Sequence, residues 1–168
     1  MHTNISIKQQ KLLELVSAAM SRFNENENYL ISRDLSERCI CSKFASYLEK
    51  ELLDTEFESF FVDVEYNRGN DGREDNPKML DRKNIVVDLV VHMRGYNNLI
   101  GFNNLICIEM KKSYKKLNYQ SDIERLKKLT DAIHGFHYVL GLMILIDADK
   151  KSGTYGLRTE HVFYGDLG

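Results

Sequence analysis

The chain is short of the residues that interrupt or staple a fold. One proline and ten glycines in 168 residues argue against a long disordered linker, and the length fits a single domain spanning residues 1–168. Three cysteines, Cys39, Cys41 and Cys107, do not make a disulfide framework, and with no CxxC pair they fit a reducing compartment. No apolar run approaches the ~18 residues of a membrane span, so no membrane partner is expected. The opening MHTNISIKQQ lacks the cationic start and apolar stretch of a secretory leader, which points to a cytoplasmic chain. A net charge of −2 excludes a uniformly basic nucleic-acid binder but leaves local patches open.

What is present is ordinary for a soluble domain: 43% hydrophobic and 29% charged residues. At this length roughly 70% of the unfolded surface can be buried, so one core suffices.

Apolar spacing predicts a helix over 6–23, with Leu12, Leu15, Val16, Ala19, Met20 and Phe23 on one stripe. A second helix is expected from Asp34 to about Asp54. The period then shifts. SFFVDVEYN, residues 59–67, alternates as a strand. Residues 68–83 read as a polar loop. IVVDLVVH (85–92) and LICIEM (105–110) read as buried strands, and 121–134 as a helix with capping-box spacing between Ser121 and Glu124. YVLGLMILID (138–147) reads as a central strand, and 159–164 as a short last one. The first three strands are joined too tightly for crossover helices and are expected to be antiparallel; the helix at 121–134 can return the chain to a parallel strand. The expected architecture is α/β, a mixed sheet flanked by helices, with residues 1–30 as a helical extension on a core of about 34–147.

Two of these strands carry charge where charge is expensive. Side chains alternate along a strand, so Glu109 and Lys111 project the same way, and Asp88 on the preceding strand can lie beside Glu109. Carboxylates in so apolar a setting need partners, and a hard divalent cation is an efficient one. Lys111 would then orient water or stabilise charge developing on a phosphate.

Asp88 after an apolar run, followed by Glu109-Met110-Lys111 at the end of the next strand, resembles the PD-(D/E)xK nuclease superfamily. The expected order α-β-β-β-α-β is also the restriction-endonuclease-like core of that superfamily. Val87 stands where the family name has proline. The resemblance implies a Mg²⁺- or Mn²⁺-dependent hydrolase of phosphodiester bonds, acting on DNA ahead of RNA. It implies Asp88, Glu109 and the Met110 backbone carbonyl as metal ligands and Lys111 as the catalytic lysine. The superfamily often sends a carboxylate from its first core helix towards the metal, and Glu37 is the candidate here; Glu37 also has capping-box spacing from Asp34, and both readings stand. A catalytically inactive module of the same fold, binding nucleic acid or a protein partner, is the alternative. A core of this size is expected to act as a homodimer or with a partner protein.

Around this set lie further candidates. Residues 111–128 are rich in lysine with tyrosine interleaved, a composition that can hold phosphates and stack on bases. Lys112, Lys115, Lys116, Tyr114 and Gln120 are the substrate-contact candidates, and Glu65 a residue bordering the site. His92 shares a strand face with Asp88 but is expected to be peripheral. Finally, GYNNLI (95–100) is followed at once by GFNNLI (101–106). This tandem copy lengthens the hairpin between the strands bearing Asp88 and Glu109, with the second copy keeping the strand role.

Overall fold

The computed structural model describes residues 5–68, 77–94, 103–114, 119–132 and 136–165. Its centre is a five-stranded mixed sheet. In chain order the elements are α1 (Ile7–Asn26), α2 (Asn28–Ser32), α3 (Glu37–Leu52), β1 (Phe61–Tyr66), β2 (Met79–Leu80), β3 (Lys83–Asn84), β4 (Val87–His92), β5 (Asn104–Lys112), α4 (Gln120–Thr130), β6 (Leu140–Asp149) and β7 (Thr154–Tyr164). The large sheet runs β1-β4-β5-β6-β7, and β2 and β3 form a separate small hairpin.

Local chemistry sets the helix starts. The Ser6 hydroxyl accepts from the Gln9 amide while the Gln9 side chain accepts from the Ser6 amide, a complete capping box. For α3 the cap is Ser36, which accepts from Cys39 N. The expected Asp34–Glu37 box does not form: Asp34 has φ 54° and belongs to the turn before the helix. Nor does the Ser121–Glu124 box, because α4 begins one residue earlier and is capped by Tyr119 without a side-chain bond.

Strand pairing follows the predicted directions. β1 is antiparallel to β4, β4 to β5, and β6 to β7, while β5 and β6 are parallel across the α4 crossover. One face of the sheet is covered by α1 and α3, where Leu12, Phe23, Phe44, Leu48, Ile108 and Ile144 share a core. The other is covered by α4, where Leu126 and Leu129 meet Val90, Cys107 and Met143. Gly141 lets α4 come this close: a Cβ there would meet Thr130 Cγ2 at 2.9 Å.

The helical extension, seen from residue 5, packs on the sheet: Leu12 and Phe23 are fully buried against the sheet core and Gln9 Nε2 donates to the Gly165 carbonyl at 2.9 Å. Two elements differ from expectation. The loop 68–83 contains the β2–β3 hairpin, which is too short for any period to show. And β7 is eleven residues long, beginning at Thr154 rather than near Thr159. Of the doubled hexapeptide, Asn104, Leu105 and Ile106 lie in β5; the first copy lies outside the described residues.

Candidate active site

The last paired position between β4 and β5 at this end of the sheet is Leu89–Ile108. One residue beyond, the ladder changes character. Met110 N donates not to a β4 carbonyl but to Asp88 Oδ2, at 2.8 Å. The strands part here, and a carboxylate fills the opening.

Glu109, on β5, is 1% exposed. Burial, and then the neighbouring Asp88 charge, push its carboxyl well above the ordinary carboxylate value, while Arg125 and Lys111 pull the other way. Two residues on, the Lys111 ammonium lies 3.9 Å from Asp88 Oδ2 and 3.8 Å from Asp122 Oδ2. Burial alone would lower the Lys111 pKa; Asp88, Asp122, Glu109 and Glu37 outweigh it and hold the group charged.

Helix α4 closes the cluster. Its Arg125 Nε lies 2.9 Å from Glu109 Oε1, and its guanidinium also bonds Asp122. The Glu109 contact is close but misaligned, so neither Oε1 nor Nε makes a hydrogen bond. The result is a chain of alternating charge, Glu109–Arg125–Asp122–Lys111–Asp88, with three acids against two bases. Beside it a cleft of about 330 Å³ is lined by apolar Leu80 and Ile85, by the acids Asp81 and Glu124, and by Lys83, Lys128 and Arg125 itself.

No family model matches the sequence, no curated protein is similar to it, and no solved structure matches its fold. Asp88 and Glu109 are hard oxygen donors, and Glu109 Oε1 is a buried acceptor without a hydrogen bond. Among the described residues no group of three or more His, Cys, Asp or Glu is arranged to hold a metal ion. Two carboxylates are nonetheless a sufficient protein contribution for a Mg²⁺ that keeps its waters and takes substrate oxygens. Met110 sits fully buried between the two charged residues, with its amide on Asp88.

The remaining sequence candidates divide. Glu37 is the first residue of α3, and its Oε1 accepts from Lys112 N at 3.2 Å, which sets it at the end of β5 within electrostatic reach of Lys111. Cys41, one turn along α3, donates to the Asp88 carbonyl at 3.3 Å; burial and the nearby acids raise its thiol to about 12, so it is a neutral wall of the site. Glu65 would lie across from Asp88 by the β1–β4 register. Its φ of 53° turns it instead to Arg38 on α3, 3.0 Å away.

Lys112 does not join Lys111 at the site. Alternation sends it to the face opposite Lys111, where it is 3% exposed and its ammonium bonds Asp34 Oδ1 at 2.5 Å. Tyr114 joins the same knot through a 2.6 Å bond to Asp34. Gln120 faces outwards and donates to Glu124. Lys115 and Lys116 lie outside the described residues.

The polar residues of α4 that do face the site are Asp122 and Arg125, which sequence reasoning passed over. A signal existed: Asp122, Leu126 and Leu129 recur at i, i+4 and i+7, so an acid occupies the buried stripe.

A second charged cluster lies at the other end of the same face. His92 is fully buried, with Nε2 2.9 Å from Asp63 Oδ2, and Asp63 also accepts from Arg94. Lys78, fully buried as well, donates to the Tyr138 hydroxyl at 2.5 Å, with the rings of Tyr66, Phe136 and Tyr138 within 5.1 to 5.8 Å. Burial brings its ammonium down to about 8.

Proposed function

We propose that the chain is a metal-dependent nuclease of the PD-(D/E)xK type, hydrolysing phosphodiester bonds in nucleic acid, with DNA ahead of RNA. The observation that carries this reading is the meeting of Asp88, buried Glu109 and Lys111 where β4 and β5 part. The order α3-β1-β4-β5-α4-β6, with antiparallel strands followed by a parallel return, supports a restriction-endonuclease-like core.

In this reading Asp88 and Glu109, with the Met110 carbonyl, would hold Mg²⁺ or Mn²⁺, and Glu37 stands at the site's edge. Such an ion would supply Lewis acidity and a more acidic water. Lys111 does the protein's own work. Held charged by the surrounding acids, it is placed to orient the attacking oxygen and to stabilise negative charge growing on the phosphate. Asp88 performs two tasks, since one oxygen holds the Met110 amide and so fixes the β5 backbone between Glu109 and Lys111.

The test is cleavage of supercoiled plasmid and of labelled single- and double-stranded DNA and RNA, with Mg²⁺ or Mn²⁺, by the wild type and Asp88→Asn. Cleavage is expected to need the cation and to fall by about a hundredfold or more in the variant. No cleavage of any substrate by a folded wild type, or equal cleavage by both proteins, would sink the enzymatic reading. One observation favours the alternative of a non-cutting nuclease-fold module: Arg125 already supplies Glu109 with a positive partner from within the chain.

A further inference from the structure

The place beside Glu109 where a cation is wanted holds the Arg125 guanidinium. Three features set this contact apart from a structural salt bridge. First, it is misaligned: the atoms are 2.9 Å apart, yet neither forms a hydrogen bond. A buried ion pair offsets its desolvation only with good geometry and full satisfaction, and this one has neither. Second, Arg125 has another acid to hold, Asp122, one turn back on its own helix. Third, it has somewhere to go. Its side chain is about a quarter exposed and also lines the adjoining cleft of about 330 Å³, together with Lys83 and Lys128.

Resting on the metal-site reading above, we propose that Arg125 is a gate on the Asp88–Glu109 site: it serves as the resident cation for Glu109 and turns into the neighbouring cleft when a divalent ion enters. There it stands beside Lys83, in a cleft that Asp81 and Glu124 also line, and Arg125 and Lys83 are available to the phosphates of a nucleic acid. Arg82 and Lys83, on the β2–β3 hairpin at the cleft's edge, are exposed and make no ion pair among the described residues, whereas Lys128 is paired with Asp81. The gate thus couples two events. Removing Arg125 from Glu109 favours metal, and the displaced guanidinium adds positive charge to a cleft whose own acids and bases are mixed. Coupling between two sites is reciprocal, so nucleic acid in the cleft tightens metal binding as well.

The experiment is calorimetric titration of Mn²⁺ into the full chain as wild type, Arg125→Gln and Asp88→Asn, with thermal unfolding of each protein with and without Mn²⁺. Arg125→Gln is expected to bind Mn²⁺ more tightly than the wild type, on the order of tenfold. Its melting temperature without metal falls below the wild type's, because Glu109 loses its partner, and Mn²⁺ raises it by more than it raises the wild type's. Asp88→Asn loses binding.

Binding by the wild type that is unchanged or weakened in Arg125→Gln overturns the gate and leaves the metal site standing. Binding in Arg125→Gln but not in the wild type supports the gate in its strongest form. No binding in either folded protein overturns the metal site and the gate together. A purely structural ion pair would lower the melting temperature equally with and without Mn²⁺. Should Arg125→Gln fail to fold, Arg125→Lys replaces it. The lysine keeps the charge but cannot span Glu109 and Asp122 as the guanidinium does, so tighter Mn²⁺ binding is again expected, and its absence overturns the proposal.

Discussion

The α4-covered face of the sheet carries charge at both ends, and the two ends are built on opposite plans. Around Lys78 the charge is enclosed: Lys78 and His92 are both fully buried, although His92 Nδ1 has no hydrogen bond. The ammonium is wrapped by three aromatic rings and bonded to Tyr138, while Asp63 is held between His92 and Arg94. Around Glu109 the acids outnumber the bases, the closest contact is misaligned, and the cluster adjoins a cleft. Both ends shift pKa values strongly, and the shift alone does not separate them. Access does. A perturbed group sealed among rings can only affect stability; one beside a cleft can meet a ligand.

Four substitutions sharpen or break this contrast. The largest effect is expected from a matched pair, Lys111→Met and Lys78→Met. In the nuclease reading the first lowers the cleavage rate by about a hundredfold, with little change in melting temperature. The second leaves cleavage unchanged and stabilises the chain by up to about 3 kcal/mol at neutral pH, because it removes a buried ammonium. The folded pKa of Lys78 is depressed, so the unfolded chain binds the extra proton between about 8 and 10.5. Wild-type stability therefore rises across that window, and the advantage of Lys78→Met shrinks as pH increases. Urea unfolding of both proteins at pH 7 and 10 checks this; a constant gap would show that Lys78 is not a buried titrating group.

Next comes Glu109→Gln. The folded carboxyl keeps its proton to higher pH than the unfolded one, whose ordinary value is 4.5. Wild-type stability thus declines as pH rises above that value, and the glutamine variant escapes the decline. Denaturant titrations at successively higher pH should show the variant gaining on the wild type.

The last substitution is Asp63→Asn. Burial would raise this carboxyl, but bonds from Arg94 and His92 outweigh it and hold the pKa below the ordinary 3.8. Its contribution is present above that value and lost as pH falls through the folded one. A cost of about 1 to 2 kcal/mol at pH 7, shrinking in acid, is expected from thermal melts. Loss of cleavage in this variant would contradict the division into a sealed end and an open one.

The core was legible because its strands are extreme. IVVDLVV and LICIEM are apolar on both sides, and YVLGLMILID more so, which leaves little choice but a buried sheet with its acids at the strand ends. The parallel return followed from the length of helix between β5 and β6. What was missed is local or charged. The cap of α3 fell to Ser36, since an Asp34 with positive φ cannot present its side chain to the first turn. Lys112 looked like its neighbour Lys111, although a period of two puts them on opposite faces. Asp122 and Arg125 escaped because an inward helical stripe was read through its apolar members alone. Their importance depends on which strand the helix lands upon, and no pattern within 120–130 records that.

The bond from Met110 N to Asp88 has a use beyond its role in the site. It ties one backbone proton to the state of one carboxylate. When Asp88 is protonated, coordinated or displaced, the Met110 amide loses or changes its acceptor, and no other residue need move. That amide is therefore a built-in spectroscopic probe. Its nitrogen–proton resonance in ¹⁵N-labelled protein, and its hydrogen-exchange rate, read the occupancy of the site in the native sequence, with no substrate and no turnover required.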